Sequence, residues 1–426
     1  MPVAIPLRPA RSSVRVKQLE TSFSPSRSVP MPSGPPAVAH CIACTLAAAT
    51  AIVPSPNLQL VRLDSGVYAA IRTEPLSLAL NSNSLIIVRD SDVVVVDAQF
   101  TRAATQETLA AIRKLTRKPV GYVINTHWHD DHLAGDQVYQ DSFPSVRFVM
   151  QENTAADLVK LGAPNRESQV EGIPSVVNRL EHLLSIGLGV DSTPVSPRER
   201  AALESAIGIA LQYVNEAPRF RAVTTTDTVH QRMTLGQGKN RIELFWFGYG
   251  NTRGDLVIWL SEQRIIATGD LVDAPVPLAF NSYPASWVKV LDSLLALRPK
   301  TIVPGHGPVM HDVRYLRSVR QWLVRIAREA SATALRGDSL GSALTTITLD
   351  DVRRRVTGDE KWMNFLFRSF FVRPAVQAAF KEAGQVPPAT TDQPSRSMPA
   401  THPAPGSAAD QSGPRDRPTL QEPSRP

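Results

Sequence analysis

From Leu60 to Val96, short β-rich runs alternate with turn residues: Leu60–Leu63, Val67–Ile71, Ser84–Val88 and Val93–Val96. Runs of this length and composition predict adjacent strands. Apolar residues at helical spacing follow over Gln106–Leu115, and Val120–Ile124 is a buried-strand pattern that stops at Asn125-Thr126. Val146–Met150 predicts the next strand. Between Thr154 and Leu211 the pattern turns helical, broken by Pro164, Pro174, Pro194 and Pro197, and reads as an inserted helical segment. Strand patterns return at Arg241–Phe247, Leu256–Leu260, Arg264–Thr268 and Thr301–Pro304, with a helix over Ala285–Leu297 before the last. The second half echoes the first, an α/β pattern. Val313, Leu316, Leu323 and Ile326 mark one face of a further helix, and Leu349–Phe380 is helical material rich in phenylalanine. The cluster Phe365, Phe367, Phe370, Phe371 reads most simply as core, with a membrane-surface or substrate-lining role as the alternative.

At 426 residues and 42% hydrophobic, the chain is long enough for a substantial core. Twenty of its 35 prolines lie in residues 1–56 and 385–426, so the folded part is expected between those two segments. The expected division is a leader over 1–56, a catalytic domain over 57–310 with its helical insertion at about 154–216, a C-terminal helical extension over 311–384, and a disordered tail over 385–426. The net charge of +7 shrinks on inspection, because the leader carries five basic groups against one acid, and the tail balances four against four. About +3 is left for the core, which does not argue for a nucleic-acid partner. No run of roughly 18 apolar residues crosses the core, so a transmembrane helix is not expected there.

Cys41 and Cys44 are the only cysteines, which excludes a disulfide framework and a cysteine-rich zinc module. They fall in an apolar stretch, Ala37–Val53, that follows a basic Ser/Pro-rich leader and ends near Ala49-Thr50-Ala51, a small-x-small cleavage pattern. A signal peptide and a periplasmic or secreted location are therefore expected, with Met31 as an alternative start. Membrane anchoring by lipid at Cys44, or a cytoplasmic chain with an apolar arm, are the alternatives.

The strongest chemical signal is Thr126-His127-Trp128-His129-Asp130-Asp131-His132-Leu133-Ala134-Gly135, directly after a strand. His127, His129 and His132 with Asp131 suit a borderline-soft divalent ion, with zinc as the default. In a loop leaving a strand, His127 and His129 can face one side and Asp131 and His132 the other, enough for two neighbouring metals. Two later strand ends supply candidates to complete the coordination. Asp270 follows the apolar run Ile265-Ile266-Ala267, and its carboxylate can bridge two cations. His306 sits between Gly305 and Gly307, which let the backbone approach closely.

Together with Gly248-Tyr249-Gly250-Asn251-Thr252-Arg253-Gly254-Asp255, these motifs resemble the metallo-β-lactamase fold superfamily of metallohydrolases over roughly Leu58–Met310. The resemblance implies an αββα sandwich, two mixed sheets face to face with helices outside, and a site at one edge. It also implies hydrolysis by a zinc-activated water, with Asp131 orienting that water and shuttling its proton, and with no covalent intermediate. The substrate is then a small molecule with an ester, lactone, thioester, phosphodiester or amide-type bond. Asp97, in Val95-Val96-Asp97-Ala98-Gln99, matches the strand-end aspartate that supports the metal loop by hydrogen bonds in that superfamily. Asp270 resembles the broader group of thioesterases, lactonases and phosphodiesterases rather than the dedicated β-lactam hydrolases, which generally carry Cys or Ser there.

One departure matters. Asn251 stands where the superfamily places the third histidine of its first metal site, and an amide oxygen is a poor zinc ligand beside imidazole. The first site would keep His127, His129 and a share of Asp270, and the second a full set of Asp131, His132, His306 and Asp270. One tight and one weak Zn2+ are expected, with Mn2+ or Fe2+ as alternative metals. His182 and His230 read as surface residues, and either one replacing the missing ligand would undo this asymmetry. The competing functions are an iron-dependent oxidoreductase of the same fold and a degenerate, non-catalytic metal-binding module.

Overall fold

The computed structural model describes residues 57–75, 80–238 and 241–385. The leader with Cys41 and Cys44, and the Pro-rich tail beyond Gln385, lie outside the described residues.

The first sheet is built from β1 (Leu58–Asp64), β2 (Val67–Arg72), β3 (Ser84–Val88), β4 (Val93–Val96), β5 (Val120–Ile124), β6 (Arg147–Gln151) and β7 (Asp227–Val229), ordered as they occur in the chain. β1 to β4 pair antiparallel and β4 to β7 parallel. The second sheet contains β8 (Arg232–Leu235), β9 (Ile242–Phe245), β10 (Val257–Leu260), β11 (Ile265–Ala267) and β12 (Thr301–Val303), in the order β12-β11-β10-β9-β8. All its neighbours are antiparallel except β11 and β12, which run parallel.

The burial pattern explains the layering. β4 is four valines, every one buried, because both of its faces are covered. Val94 and Val96 enter the core between the sheets, beside Leu244, Ile258 and Ala267 of the second sheet. Val93 and Val95 face the other way, with Leu109 and Ile112 of α1 (Arg102–Leu115) and with Val138 and Tyr139. α1 starts where Thr101 accepts a hydrogen bond from the Ala104 N–H at 3.2 Å. Two short helices, α2 (Asp130–Leu133) and α3 (Asp136–Ser142), follow β5.

After β6 come α4 (Glu152–Asp157), a π-turn over Leu158–Gly162, α5 (Ala163–Ser185) and α6 (Pro197–Glu216). Pro164 and Pro197 occupy helix first turns, where no donor is lost. The break expected at Pro174 does not occur, and α5 runs through it. Pro174 is exposed, so water can take the carbonyl it strands. Val177, Leu180 and Leu184 then pack as one buried stripe that holds the second half helical.

The second sheet is covered by α7 (Pro284–Ala296) and α8 (Arg314–Leu335), whose Trp287, Leu291, Leu294, Leu316 and Leu323 share a core with Val257, Trp259, Ile266 and Ile302. The chain continues through α9 (Leu340–Thr346), α10 (Asp350–Thr357) and α11 (Lys361–Leu366), a π-turn at Phe367–Val372, and α12 (Arg373–Gln385). Phe367 and Phe371 are buried in that same core, whereas Phe365 and Phe370 are only partly covered. The result is an αββα sandwich with extra C-terminal helices. No helix among the described residues is long and apolar enough to cross a membrane.

Candidate metal centre

The parallel neighbours β4 and β5 end side by side, with Val96 opposite Ile124, and so bring Asp97 against the loop that carries the histidines. Asp97 takes a left-handed φ of 63° and accepts hydrogen bonds from Thr126 N (2.8 Å), Thr126 Oγ1 (2.9 Å) and His132 Nδ1 (2.8 Å). A carboxylate on Nδ1 fixes the ring and leaves Nε2 to face a cation. His127 Nδ1 lies 3.0 Å from Thr126 Oγ1, which turns its Nε2 toward His129 and Asp270.

The second sheet delivers the rest. Asp270 sits in the turn that leaves β11, and His306 follows β12, its parallel neighbour. Gly305 makes the approach: a Cβ there would stand 2.2 Å from Asp270 Oδ1 and 2.8 Å from the Gly269 carbonyl carbon. The ligand-type atoms of Asp131, His132, Asp270 and His306 all lie within 4.8 Å of one another, and those of His127, His129 and Asp270 form a second such group. Asp270 is shared. His132 Nε2 is 2.9 Å from Asp270 Oδ1, His306 Nε2 is 3.0 Å from Asp131 Oδ2, and His127 Nε2 is 3.6 Å from Asp270 Oδ2. His132 Nε2 and Asp270 Oδ1 are both buried and lack hydrogen-bond geometry to any partner. Buried polar atoms that converge unpaired fit a divalent cation, and so does the donor set of four imidazoles and two carboxylates.

The electrostatics are consistent. Burial pushes His127 well below the ordinary histidine range, helped by the neighbouring His132, so its ring is neutral and ready to ligate. Burial opposes a charged His132, but Asp270, Asp97 and Asp131 outweigh it and hold that ring protonated. Burial likewise opposes ionisation of Asp131 and Asp270, and the surrounding histidines overcome it, keeping both carboxylates ionised. A divalent cation at this position would displace a proton from His132.

Asn251 is fully buried; its Nδ2 donates to the Leu278 carbonyl, and its Oδ1 has no hydrogen-bond partner. His182 is exposed on α5, and His230 is exposed and paired with Glu152 at 2.7 Å, so neither reaches the centre. Several residues with no local sequence signature complete the site. Asn281 Oδ1 accepts from His129 Nε2 at 2.8 Å, which leaves Nδ1 turned toward His127 Nε2, 2.9 Å away. Asp130 is bound by Arg166 of α5, Nε to Oδ2 at 2.9 Å, and by the Tyr213 hydroxyl of α6. Asn83 spans four backbone groups: its N–H donates to Gly305 O (2.8 Å), its Nδ2 to Pro304 O (3.0 Å) and Gly307 O (2.8 Å), and its Oδ1 accepts from Arg72 N (3.0 Å).

Asn83→Ala removes the side-chain bonds and strands buried carbonyls beside His306. We expect a loss of about 1–3 kcal/mol in stability and weaker zinc binding, read by urea denaturation and zinc titration. Unchanged values for both would remove Asn83 from the site.

Above the centre lies a cleft of about 470 Å3 with His129, Asp131 and Asp270 in its floor. Its walls include Asn165, Gln169 and Ile173 of α5 and the segment Leu278–Asn281.

Residues 78–306, the span that contains every one of these candidate ligands, match the family model described as metallo-beta-lactamase superfamily. The chain belongs to the metallo-beta-lactamase superfamily. It is 20% identical over 248 residues to the linear primary-alkylsulfatase of Pseudomonas sp. (strain ATCC 19151), covering 56% of this chain and 43% of that protein. It is 23% identical over 237 residues to the metallo-beta-lactamase type 2 of Bacillus sp. (strain 170), covering 54% of this chain and 68% of that one. The chain thus spans less than half the length of the alkylsulfatase. Among solved structures, the metallo-beta-lactamase from Pontibacter korlensis aligns over 62% of this chain and 99% of its own, at 22% identity and a TM-score of 0.42. The DIM-1 metallo-beta-lactamase aligns over 63% and 98%, at 16% identity and a TM-score of 0.41.

Proposed function

We propose that this superfamily member is a metal-dependent hydrolase acting on an ester, lactone, thioester, phosphodiester or amide-type bond. The observation that carries this reading is the convergence of Asp131, His132, Asp270 and His306 within 4.8 Å, in the floor of a cleft large enough for a small molecule. Asp131, His132, Asp270 and His306 would hold one ion, and His127, His129 and Asp270 a second, with zinc as the expected metal. A divalent ion held there would supply Lewis-acid activation of water and of the substrate oxygen. The chain's own residues do the rest. Asp97 and Thr126 set the ring orientations, Asn281 fixes His129, and the ionised Asp131, open to the cleft and 3.0 Å from His306 Nε2, takes the water's proton and passes it to the leaving group.

The test is a panel of lactones, thioesters, phosphodiesters, aryl esters and a chromogenic cephalosporin, offered to zinc-, manganese- and iron-loaded protein and to chelator-treated protein. Turnover of at least one class that chelation abolishes is the expected result. No turnover with any metal would favour a non-catalytic metal-binding module, a reading whose support is Asn251. Oxygen uptake by iron-loaded protein would favour an oxidoreductase.

A further inference from the structure

Resting on the hydrolase reading, we propose that the cleft selects uncharged acyl substrates with an apolar arm, esters or lactones rather than substrates with a second anionic group. The arm's path is lined by Leu80, Phe100, Ile173, Leu278 and Phe280. Asn165 and Gln169 add only uncharged amides, and among the described residues no lysine or arginine lines the cleft. Its charged residues are the acids Asp130, Asp131 and Asp270, beside the metal centre.

Two arginines beside the site, Arg166 and Arg72, are already committed. Arg166 is clamped to Asp130 and lies over the Phe220 ring, 3.4 Å from its centroid. On the far side of His306 a cavity of about 290 Å3 carries Arg72, but that guanidinium is held by Glu74 and, at 2.9 Å, by Glu107, with 6% of the side chain exposed. A carboxylate carried at the distal end of a substrate would exchange water for an apolar wall with no cation to compensate it.

Phe280 gives the apolar wall a defined surface. It is 52% exposed although large and apolar. Its ring nevertheless rests against Phe370 of the C-terminal π-turn, with centroids 5.1 Å apart, and the adjoining Ala279 N–H donates to the Phe370 carbonyl at 2.9 Å. The C-terminal π-turn thus backs the Phe280 ring that lines the cleft, and π-turns of this kind recur at functional sites. In the reaction the water oxygen joins the acyl carbon and the acyl–oxygen bond breaks. One proton leaves with the alcohol, and the other is released as the acid ionises.

The experiment measures kcat/KM of the full-length, zinc-loaded protein on para-nitrophenyl esters from acetate to octanoate. The same acyl chains ending in a carboxylate, and bis(para-nitrophenyl) phosphate, complete the set. We expect about a three- to fourfold rise per added methylene over the first few carbons, at least a tenfold drop on adding the terminal carboxylate, and a flattened chain-length slope in Phe280→Ser that Phe280→Leu largely restores. Metal-dependent ester hydrolysis with no chain-length slope, or equal use of the carboxylate-bearing esters, would overturn the inference and leave the hydrolase reading intact. So would a preference for the phosphodiester. No metal-dependent hydrolysis of any of these substrates would count against the hydrolase reading itself, and the inference falls with it.

Discussion

Asp131→Asn is expected to keep much of the metal the parent protein binds yet lose about 100- to 10,000-fold in kcat, the contribution of a well-placed proton-transfer group. The asparagine retains an oxygen where Asp131 Oδ2 lies, 3.0 Å from His306 Nε2, so a donor atom for the metal stays in place. The amide cannot accept a proton from water, and the ionised carboxylate that the surrounding histidines maintain is gone. Measured at saturating zinc, the loss should fall on kcat rather than on metal stoichiometry, and the acid limb of the pH–rate profile should change shape. Retained turnover would remove Asp131 from proton transfer and leave it a ligand only.

The largest effect on stability is expected at Arg166. Its guanidinium holds Asp130, a buried carboxylate between the candidate ligands His129 and Asp131, and joins helix α5 to the histidine loop. Tyr213 of α6 binds the same carboxylate while stacking on Phe100 at 4.0 Å. Burial already pushes Asp130 upward against Arg166 and Tyr213, so removing the cation leaves an uncompensated acid in the interior. Arg166→Ala should therefore cost about 3–5 kcal/mol, read as a lower urea midpoint at unchanged slope. Adding Asp130→Asn in the same chain should recover much of that loss, because the stranded charge is gone. A small loss for the single variant, or no recovery in the double, would mean that the clamp contributes little.

The parts of this molecule that were legible in its sequence are those whose cause is local. Val93–Val96 could be read as a strand buried on both faces because four consecutive β-branched residues have few other uses, and the structure covers both faces. The histidine loop announced itself because its ligand-type residues lie within six positions, and Asp270 and His306, which converge on it, because each follows an apolar run that ends at glycine. What escaped has causes far away in sequence. β7 and β8 are three and four residues long and carry exposed positions, so pairing with β6 and β9, rather than their own pattern, makes them strands. Asn83 reaches Gly307 across 224 positions and Asn281 reaches His129 across 152, separations at which no periodicity operates. The nearest signal for Asn83 was the run Asn81-Ser82-Asn83-Ser84 leading into a buried strand, small polar residues where apolar ones would be expected. Pro174 was read as a break because its cost is local, whereas the packing of Val177, Leu180 and Leu184 that outweighs it is tertiary.

Zinc titration of the metal-free protein, followed by metal counting after dialysis against a weak chelator, probes the centre most directly. One ion should be retained tightly and a second bound more weakly, since His127, His129 and Asp270 offer three ligand-type groups against the four of Asp131, His132, Asp270 and His306. His306→Ala should cost the tight ion, and Asn251→His should bring the two affinities closer. Two ions held equally tightly by the parent protein, or none at all, would contradict the account.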